Sequence, residues 1–282
     1  MSKLQQYLAE FDTYPVTFYY KFVLECGGIA DCLKFFAHML EYCIDHKVRL
    51  LYILNDIPIE KYIRVRHEKM RIHANKLPNN VRLVTQMSNR FHDMAACDDP
   101  NIGYVFEPYL FYNTFSFDKL SIPFSELFEF SPECEEKASQ LFDFRSMSPY
   151  TAVHLRLGDK FLETDKRYVC CKNDVRQFDQ KVLFDWLATD QQQQQPILFL
   201  CDNAAYKNSI KSKFSHIYVT EAKIGHTSFI NTTDEQIVDT LAEFYLMANS
   251  SKIVAVSYSG FSLAAAKFHN TPISDLVPKS DR

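Results

Sequence analysis

Tyr150-Thr151-Ala152-Val153-His154-Leu155-Arg156-Leu157-Gly158-Asp159-Lys160 is the stretch on which the reading of the fold turns. An apolar strand over Tyr150 to Leu157 carries His154 and Arg156 on alternate positions, so both side chains share one face. The strand breaks at Gly158-Asp159. In open α/β sheets, ligands bind beyond the carboxyl ends of the strands. A guanidinium placed there offers a planar fork that fits paired phosphate oxygens. A structural ion pair with a nearby carboxylate is the competing reading of the same arginine.

Alternation of strands and helices continues on both sides of this segment. Downstream, helices are expected over Gln177 to Ala188, Ala204 to Phe214, Asp234 to Asn249 and Phe261 to Phe268. Strands are expected over Ile197 to Cys201, Ile217 to Val219 and Ile253 to Val256, and Gln191 to Gln195 reads as a low-complexity loop. Upstream, a strand over Thr17 to Glu25 meets Gly27-Gly28, then a helix over Ile29 to Asp45 and a strand over Arg49 to Leu54, which is a βαβ opening. A helix over Ile59 to His73, a strand over Val81 to Thr85, a loop over Pro100 to Pro108, short strands or turns over Phe111 to Phe130 and a helix over Pro132 to Phe144 complete the first half. Ser146, Met147 and Pro149 mark a linker, which divides the chain into 1–145 and 146–282, each an α/β unit.

Composition narrows the function classes. The 282 residues are 47% hydrophobic and 23% charged, a globular balance, and the net charge is −4. No general basic field exists, so nucleic acid is not an expected partner. No apolar run reaches the length of a membrane span, and Met1 to Tyr14 does not resemble a signal peptide. A cytoplasmic location is expected, with Cys26, Cys32, Cys43, Cys97, Cys134, Cys170, Cys171 and Cys201 as reduced thiols; the adjacent Cys170 and Cys171 read as packing residues. The glycosylation-like triplets at Asn231 and Asn249 are then accidental. Neither a Cys-x-x-Cys pair nor an Asp-x-Asp occurs, so no metal site is expected.

The chemistry-bearing residues of the second half gather at strand ends. His154 and Arg156 end one strand, Asp202-Asn203 another, and Ser257-Tyr258-Ser259-Gly260 a third that runs into a helix. Hydroxyls and free amides at a helix start suit an anion, though serine is equally a routine N-cap. Asp202 also reads as a turn residue. Asp239 and Glu243 lie four apart on one helix face.

Val153-His154-Leu155-Arg156-Leu157-Gly158-Asp159 resembles the H-x-R-x-G-D motif of the α1,2-, α1,6- and protein O-fucosyltransferases. Leu198 to Asn203 is similar to their F-x-S-D-[DN] strand end. Glu243 to Ala248 with Ile253 to Ser262 is similar to their D-x-x-L-M-S … I-x-A-x-S-x-F-S block. Gly27 to Leu33 resembles the G-G-L-G-[ND]-Q-L turn of the α1,2-type members, whereas Asp56 to Ser148 shows no such likeness.

This resemblance implies an α/β GT-B fold, with two Rossmann-like domains facing across a cleft. It implies an inverting, metal-independent transfer of a sugar from a nucleotide-sugar donor to a glycan or glycoconjugate acceptor, with no cofactor. GDP-fucose is the family's donor. Glu243 stands where the family has an Asp that reads guanine, so UDP-xylose or another UDP-sugar stays open, with Asp239 as a second base reader. Arg156 would hold the β-phosphate and His154 the nucleoside or a phosphate. Ser257, Ser259 and the Gly260 amide would complete the diphosphate cradle, with Lys160 either a helper or a plain surface lysine.

Attack by a hydroxyl needs a base from across the cleft. Asp31, just past Gly27-Gly28, is the first choice and Glu25 the alternate; a favourable charge at a helix start is the competing reading of Asp31. His226 is a further donor-side contact or a surface histidine. Phe115, Phe117, Phe124, Phe128 and Phe130 serve either an acceptor platform or the core. A non-catalytic sugar-nucleotide or glycan-binding module is the alternative function, and lack of an anchor leaves a bacterial or viral origin open.

Overall fold

The computed structural model describes residues 1–84, 101–107, 115–162, 175–189 and 195–276. Cys97, Cys170, Cys171 and most of the Gln191 to Gln195 loop lie outside them. The first sheet contains β1 (Thr17–Tyr20), β2 (Arg49–Leu54), β4 (Arg71–His73), β5 (Val81–Leu83) and β6 (Gly103–Phe106), in the order β4-β2-β1-β6-β5. The second contains β8 (Thr151–Leu155), β9 (Ile197–Cys201), β10 (Ile217–Val219), β11 (Lys252–Ala255) and β12 (Ile273–Asp275), in the order β10-β9-β8-β11-β12. Every pairing in both sheets is parallel. A separate antiparallel pair joins β3 (Ile63–Val65) to β7 (Phe128–Phe130).

The helices, in chain order, are α1 (Lys3–Glu10), α2 (Ile29–His46), α3 (Phe124–Leu127), α4 (Pro132–Leu141), α5 (Phe144–Met147), α6 (Gln180–Thr189), α7 (Ala204–Lys213), α8 (Asp234–Ala248) and α9 (Gly260–His269). Two parallel sheets flanked by helices form a GT-B architecture, the arrangement expected from the sequence.

The second sheet reverses its strand order between β8 and β11, and both strands are buried on two faces. Parallel strands of this kind read as apolar runs because helices cover each side. Val153, Leu155, Phe199 and Val254 pack with Leu183 and Leu187 of α6 and Ile210 of α7. Their alternate neighbours Ala152, Leu198, Leu200 and Ile253 join Phe18, Tyr20 and Leu50 of the first sheet in one core. Phe35, Phe36 and Leu40 of α2, Phe244 of α8 and Ala264 and Phe268 of α9 fill the space between.

Several local expectations need correction. Ile59 to His73 is not a helix but contains β3, β4 and two 3₁₀ turns, Pro58–Lys61 and Glu68–Met70. Ile63-Arg64-Val65 alternates buried, exposed, buried, which is a strand period, and two of its three residues are β-branched. Pro100 to Pro108 is not simply a loop, because β6 lies within it and pairs with both β1 and β5. Gly103 marks a close approach there: a Cβ would fall 2.5 Å from the Tyr19 ring. β1 ends at Tyr20 rather than Glu25, and the following turn holds Glu25 and Gly27 at positive φ. Phe124 and Phe128 are core residues, which takes these two from any acceptor platform, whereas Phe115, Phe117 and Phe130 are partly buried against the same core. α1 and β12 carry no counterpart in the sequence reading.

Among the described residues no helix is long and apolar enough to cross a membrane. Cys32, Cys43, Cys134 and Cys201 are buried free thiols, and burial raises each of them above the ordinary thiol range.

Beyond the end of β2, the Glu60 carboxylate accepts a hydrogen bond from the Asn55 amide at 3.0 Å, and burial pushes its pKa from 4.5 to about 7. An acid with a raised pKa binds its proton more tightly when folded, so its contribution to stability is present below about pH 4.5 and is lost by about pH 7. The loss is about 3 kcal/mol in order of magnitude. Glu60→Gln is expected to remove this slope. Urea denaturation at pH 5 and pH 8 checks it: relative to the wild type, the variant gains stability at the higher pH.

Candidate active site

The cleft opens where the second sheet reverses its order, the place at which diverging crossovers leave a crevice. It encloses about 790 Å³ including its open mouth. His154, Arg156, Arg176, Asp202, His226, Glu243, Ser259 and Gly260 line it from the second half, and Gly28 and Asp31 from the first.

Arg156 follows β8 directly and is tied down from three sides. Its guanidinium pairs with Asp159 and, through Nη1 at 3.1 Å, with Oδ2 of Asp202. Its backbone N–H donates to Ser257 Oγ at 2.9 Å, and that hydroxyl donates to the Arg156 carbonyl at 2.7 Å. Asp202 is buried at the end of β9 and accepts the Leu157 and Gly158 amides at 2.8 and 3.0 Å. Gly158 adopts φ 115°, a conformation that glycine tolerates and that turns both amides onto one carboxylate. Asp202 and Ser257 therefore shape the loop that presents Arg156.

Two histidines face the same space. His154 Nδ1 lies 2.6 Å from Ser262 Oγ of α9, and its ring tilts against Phe261. The His226 ring stacks on Phe229 with centroids 3.8 Å apart. Burial, aided by the charge of Arg156, lowers each imidazole to about 3, so both are neutral at pH 7.

Glu243 enters the wall from α8 on a buried ion pair. Lys207 of α7 is 1% exposed, and its Nζ donates to Glu243 Oε1 at 2.9 Å, Thr220 Oγ1 at 3.1 Å and the Ala222 carbonyl at 3.1 Å. Thr220 also donates to Glu243 Oε1. Burial raises the Glu243 carboxyl above its usual range, and the lysine opposes that rise. Both polar partners sit on Oε1, on a residue that lines the cleft.

The amino ends of two helices meet at this cleft. Ser259 caps α9 by accepting the Phe261 amide at 3.3 Å, and Ser259, Gly260 and Phe261 all line the wall. Such an end carries partial positive charge and unsatisfied N–H groups. α2 starts with Gly28 at its N-cap, which has no side chain to cap with. Thr227 supplies the oxygen instead, accepting the Ile29 amide at 2.9 Å. Asp31, in the first turn of α2, accepts from Lys34 Nζ at 3.0 Å and also lines the cleft.

Of the residues singled out in the sequence, the fold brings Gly28, Asp31, His154, Arg156, Asp202, His226, Glu243, Ser259 and Gly260 to one cavity. The others lie behind it or away from it. Asn203 caps α7 through the Tyr206 amide at 2.9 Å. Asp239 points to Lys137 of α4 at 2.8 Å and accepts the Lys223 amide. Ser257 holds the Arg156 backbone, Gly27 shapes the turn at φ 99°, Glu25 is exposed, and Lys160 is exposed beside Phe161. Sequence reasoning missed Arg176, Thr227 and Tyr258 as lining residues. Only Tyr258 carried a signal, since it lies inside the Ser257 to Gly260 turn. Among the described residues no group of His, Cys, Asp and Glu side chains is arranged to hold a metal ion.

No protein-family model matches the chain, and no curated protein does. Its fold is nonetheless similar to solved fucosyltransferases. NodZ from Bradyrhizobium superposes with a TM-score of 0.56 at 12% identity, over 89% of this chain and 92% of that one. POFUT1 in complex with GDP-fucose gives 0.54 at 11%, over 93% and 98%. Arabidopsis thaliana FUT1 in complex with GDP gives 0.55 at 12%, over 96% and 73%. At these identities the likeness establishes the GT-B fold.

The Lys207–Glu243 pair makes the wall sensitive to loss of either charge. Lys207→Met leaves a buried carboxylate without its cation and is expected to cost about 3–5 kcal/mol. Adding Glu243→Gln recovers part of that loss, and urea denaturation of both single variants and the double variant measures the coupling.

Proposed function

We propose that this protein is an inverting glycosyltransferase that moves a sugar from a nucleoside diphosphate donor to a glycan hydroxyl, with GDP-fucose as the donor. The observation that carries the reading is the pairing across one cleft of a fixed guanidinium and a helix start with a carboxylate. Arg156 and the first turn of α9 stand on the second half, and Asp31 on the first. Solved proteins of the same fold are described in complexes with GDP-fucose and GDP, which supports this donor class.

In this reading residues 146–282 hold the donor and residues 1–145 the acceptor side. The diphosphate lies against Arg156, Ser259 and the Gly260 amide. The acceptor oxygen attacks the anomeric carbon as the bond to the diphosphate breaks, and a single in-line displacement inverts that centre. The hydroxyl proton passes to Asp31, and the electron pair of the broken bond stays on the diphosphate. Preorganised positive charge where the negative charge develops is the largest expected contribution to rate. Arg156 and the α9 amino end supply it without a metal ion. Glu243 accepts N–H donors of the base through its cleft-facing carboxylate. Guanine offers two such donors, on N1 and N2, whereas uracil offers one between two carbonyls.

Melting curves with GDP, UDP, GDP-fucose and UDP-xylose test the donor, because a ligand that binds only the folded state raises the midpoint. The guanine ligands are expected to shift it, and a shift by uridine ligands alone moves the assignment to a UDP-sugar. Arg156→Ala is expected to lower kcat/KM by about 10²–10³-fold in a donor-turnover assay. Wild-type turnover in that variant would refute the role. Asp31→Asn is expected to leave donor affinity near wild type and reduce kcat by about 10²–10⁴-fold. EDTA is expected to leave the rate unchanged. Donor binding with no diphosphate released in the presence of acceptor glycans would instead identify a non-catalytic binding module.

A further inference from the structure

Gly28 and Ile29 share one peptide unit, and both of its polar ends are engaged. The Ile29 N–H donates to Thr227 Oγ1 at 2.9 Å. The Gly28 carbonyl accepts the amides of Asp31 and Cys32, each at 3.1 Å. A peptide unit is planar, so a partner that fixes its N–H also fixes the direction of its C=O. The amide of Asp31 therefore hangs from a plane whose other edge is gripped by a residue of the second half. A helix commonly takes this cap from its own N-cap side chain, which Gly28 lacks.

Thr227 is buried and held in place by an arch over residues 223–232. The arch is rooted on α8: the Lys223 amide donates to Asp239 Oδ2 at 2.8 Å and the Gly225 amide to Thr240 Oγ1 at 3.0 Å. Within it, Thr232 Oγ1 donates to the His226 carbonyl at 2.7 Å. The helix that carries Glu243 thus also supports the oxygen that caps α2. On the other side of the same turn, the Tyr20 hydroxyl donates to the Cys32 carbonyl at 3.2 Å, so Asp31 lies between one anchor from each half.

We infer that Thr227 is a positioning residue of the transfer reaction. Its hydroxyl oxygen, acting between the halves through the Gly28–Ile29 peptide, sets the first turn of α2 and with it the Asp31 carboxylate. This inference rests on the glycosyltransferase reading above, in which Asp31 takes the proton of the attacking hydroxyl. Thr227 acts through Asp31 rather than on the reacting atoms, so its effect falls on turnover rather than on donor binding. A displacement of about 1 Å in a reacting group is enough to cost about 10²-fold in rate.

Thr227→Val removes the accepting oxygen, keeps the side-chain shape and leaves the bonds between the arch and α8 in place. Turnover is measured with GDP-fucose, or with UDP-xylose if the melting curves select uridine, over a pool of oligosaccharides. The variant is expected to lower kcat by about 10- to 100-fold. Its affinity for the matching nucleoside diphosphate, read by titration calorimetry, should stay within about twofold of wild type. Thr227→Ser restores the oxygen and should return kcat to within about threefold of wild type. Thr227→Cys, with a weaker acceptor, should lie between and keeps the test decisive if the valine variant folds poorly. Hydrogen exchange at the Ile29 amide, followed by NMR, should be about tenfold faster in Thr227→Val and near wild type in Thr227→Ser. Ser131→Ala removes a cap of the same kind from α4, where Ser131 accepts the Cys134 amide at 3.2 Å away from the cleft lining, and should leave kcat unchanged.

Wild-type kcat in Thr227→Val would overturn the assignment while leaving the glycosyltransferase reading intact. Equal losses of kcat and diphosphate affinity would identify a ligand contact instead and would also overturn it, as would a loss of kcat in Ser131→Ala as large as that in Thr227→Val. A wild-type protein that turns over neither nucleotide-sugar would remove both readings together.

Discussion

The Asp202 carboxylate is the interaction on which the site depends. It ends a buried strand, receives two successive backbone amides from the neighbouring loop and pairs with the guanidinium that this loop presents. A buried carboxylate is tolerated only when its lone pairs are filled, and here backbone and arginine fill them together. The loop geometry and the direction of Arg156 are thereby coupled. Gly158 permits the turn, Ser257 locks the strand on the other side, and the cleft wall follows from those few contacts.

The opposite wall is set by a similar exchange between the two halves. α2 begins with a residue that cannot cap it, and a threonine from a distant loop completes it. Glu25 donates its amide to the Ser228 carbonyl in the same region at 2.8 Å. The start of α2, with Asp31 in its first turn, is thus positioned by the half that carries Arg156. In the proposed reaction Asp31 and Arg156 act on opposite ends of one bond, and an amide–hydroxyl and an amide–carbonyl hydrogen bond between the halves hold them in register.

Much of this was legible in the chain. β9 and β10 fall at the expected residues, and α2, α7 and α8 differ from expectation by a residue at one end, because each combines a clear apolar period with a turn or capping signal. His154, Arg156, Ser259 and Gly260 were legible because strand ends at an order reversal are where an α/β sheet exposes side chains to a crevice. Ile59 to His73 was not, since short strands between 3₁₀ turns leave too few residues to establish a period. β6 was hidden by its length of four residues and by its glycine, whose purpose is the Tyr19 ring in another strand. Asn203, Asp239 and Ser257 sit beside the site in sequence but turn their side chains to caps, a lysine and a backbone. Arg176 gave no signal, for its place is fixed by a main-chain bond to a residue 19 positions earlier.

The apolar interior common to both sheets has a mechanical consequence. Lobes joined by a thin polar seam can swing apart as rigid bodies, whereas here Phe18 and Leu50 share their oil with Leu198 and Ile253 through Phe36, Phe244 and Phe268. Separating them would wet that filling. A hinge opening would therefore cost buried apolar contact, and the two sheets are braced as one frame beneath the cleft.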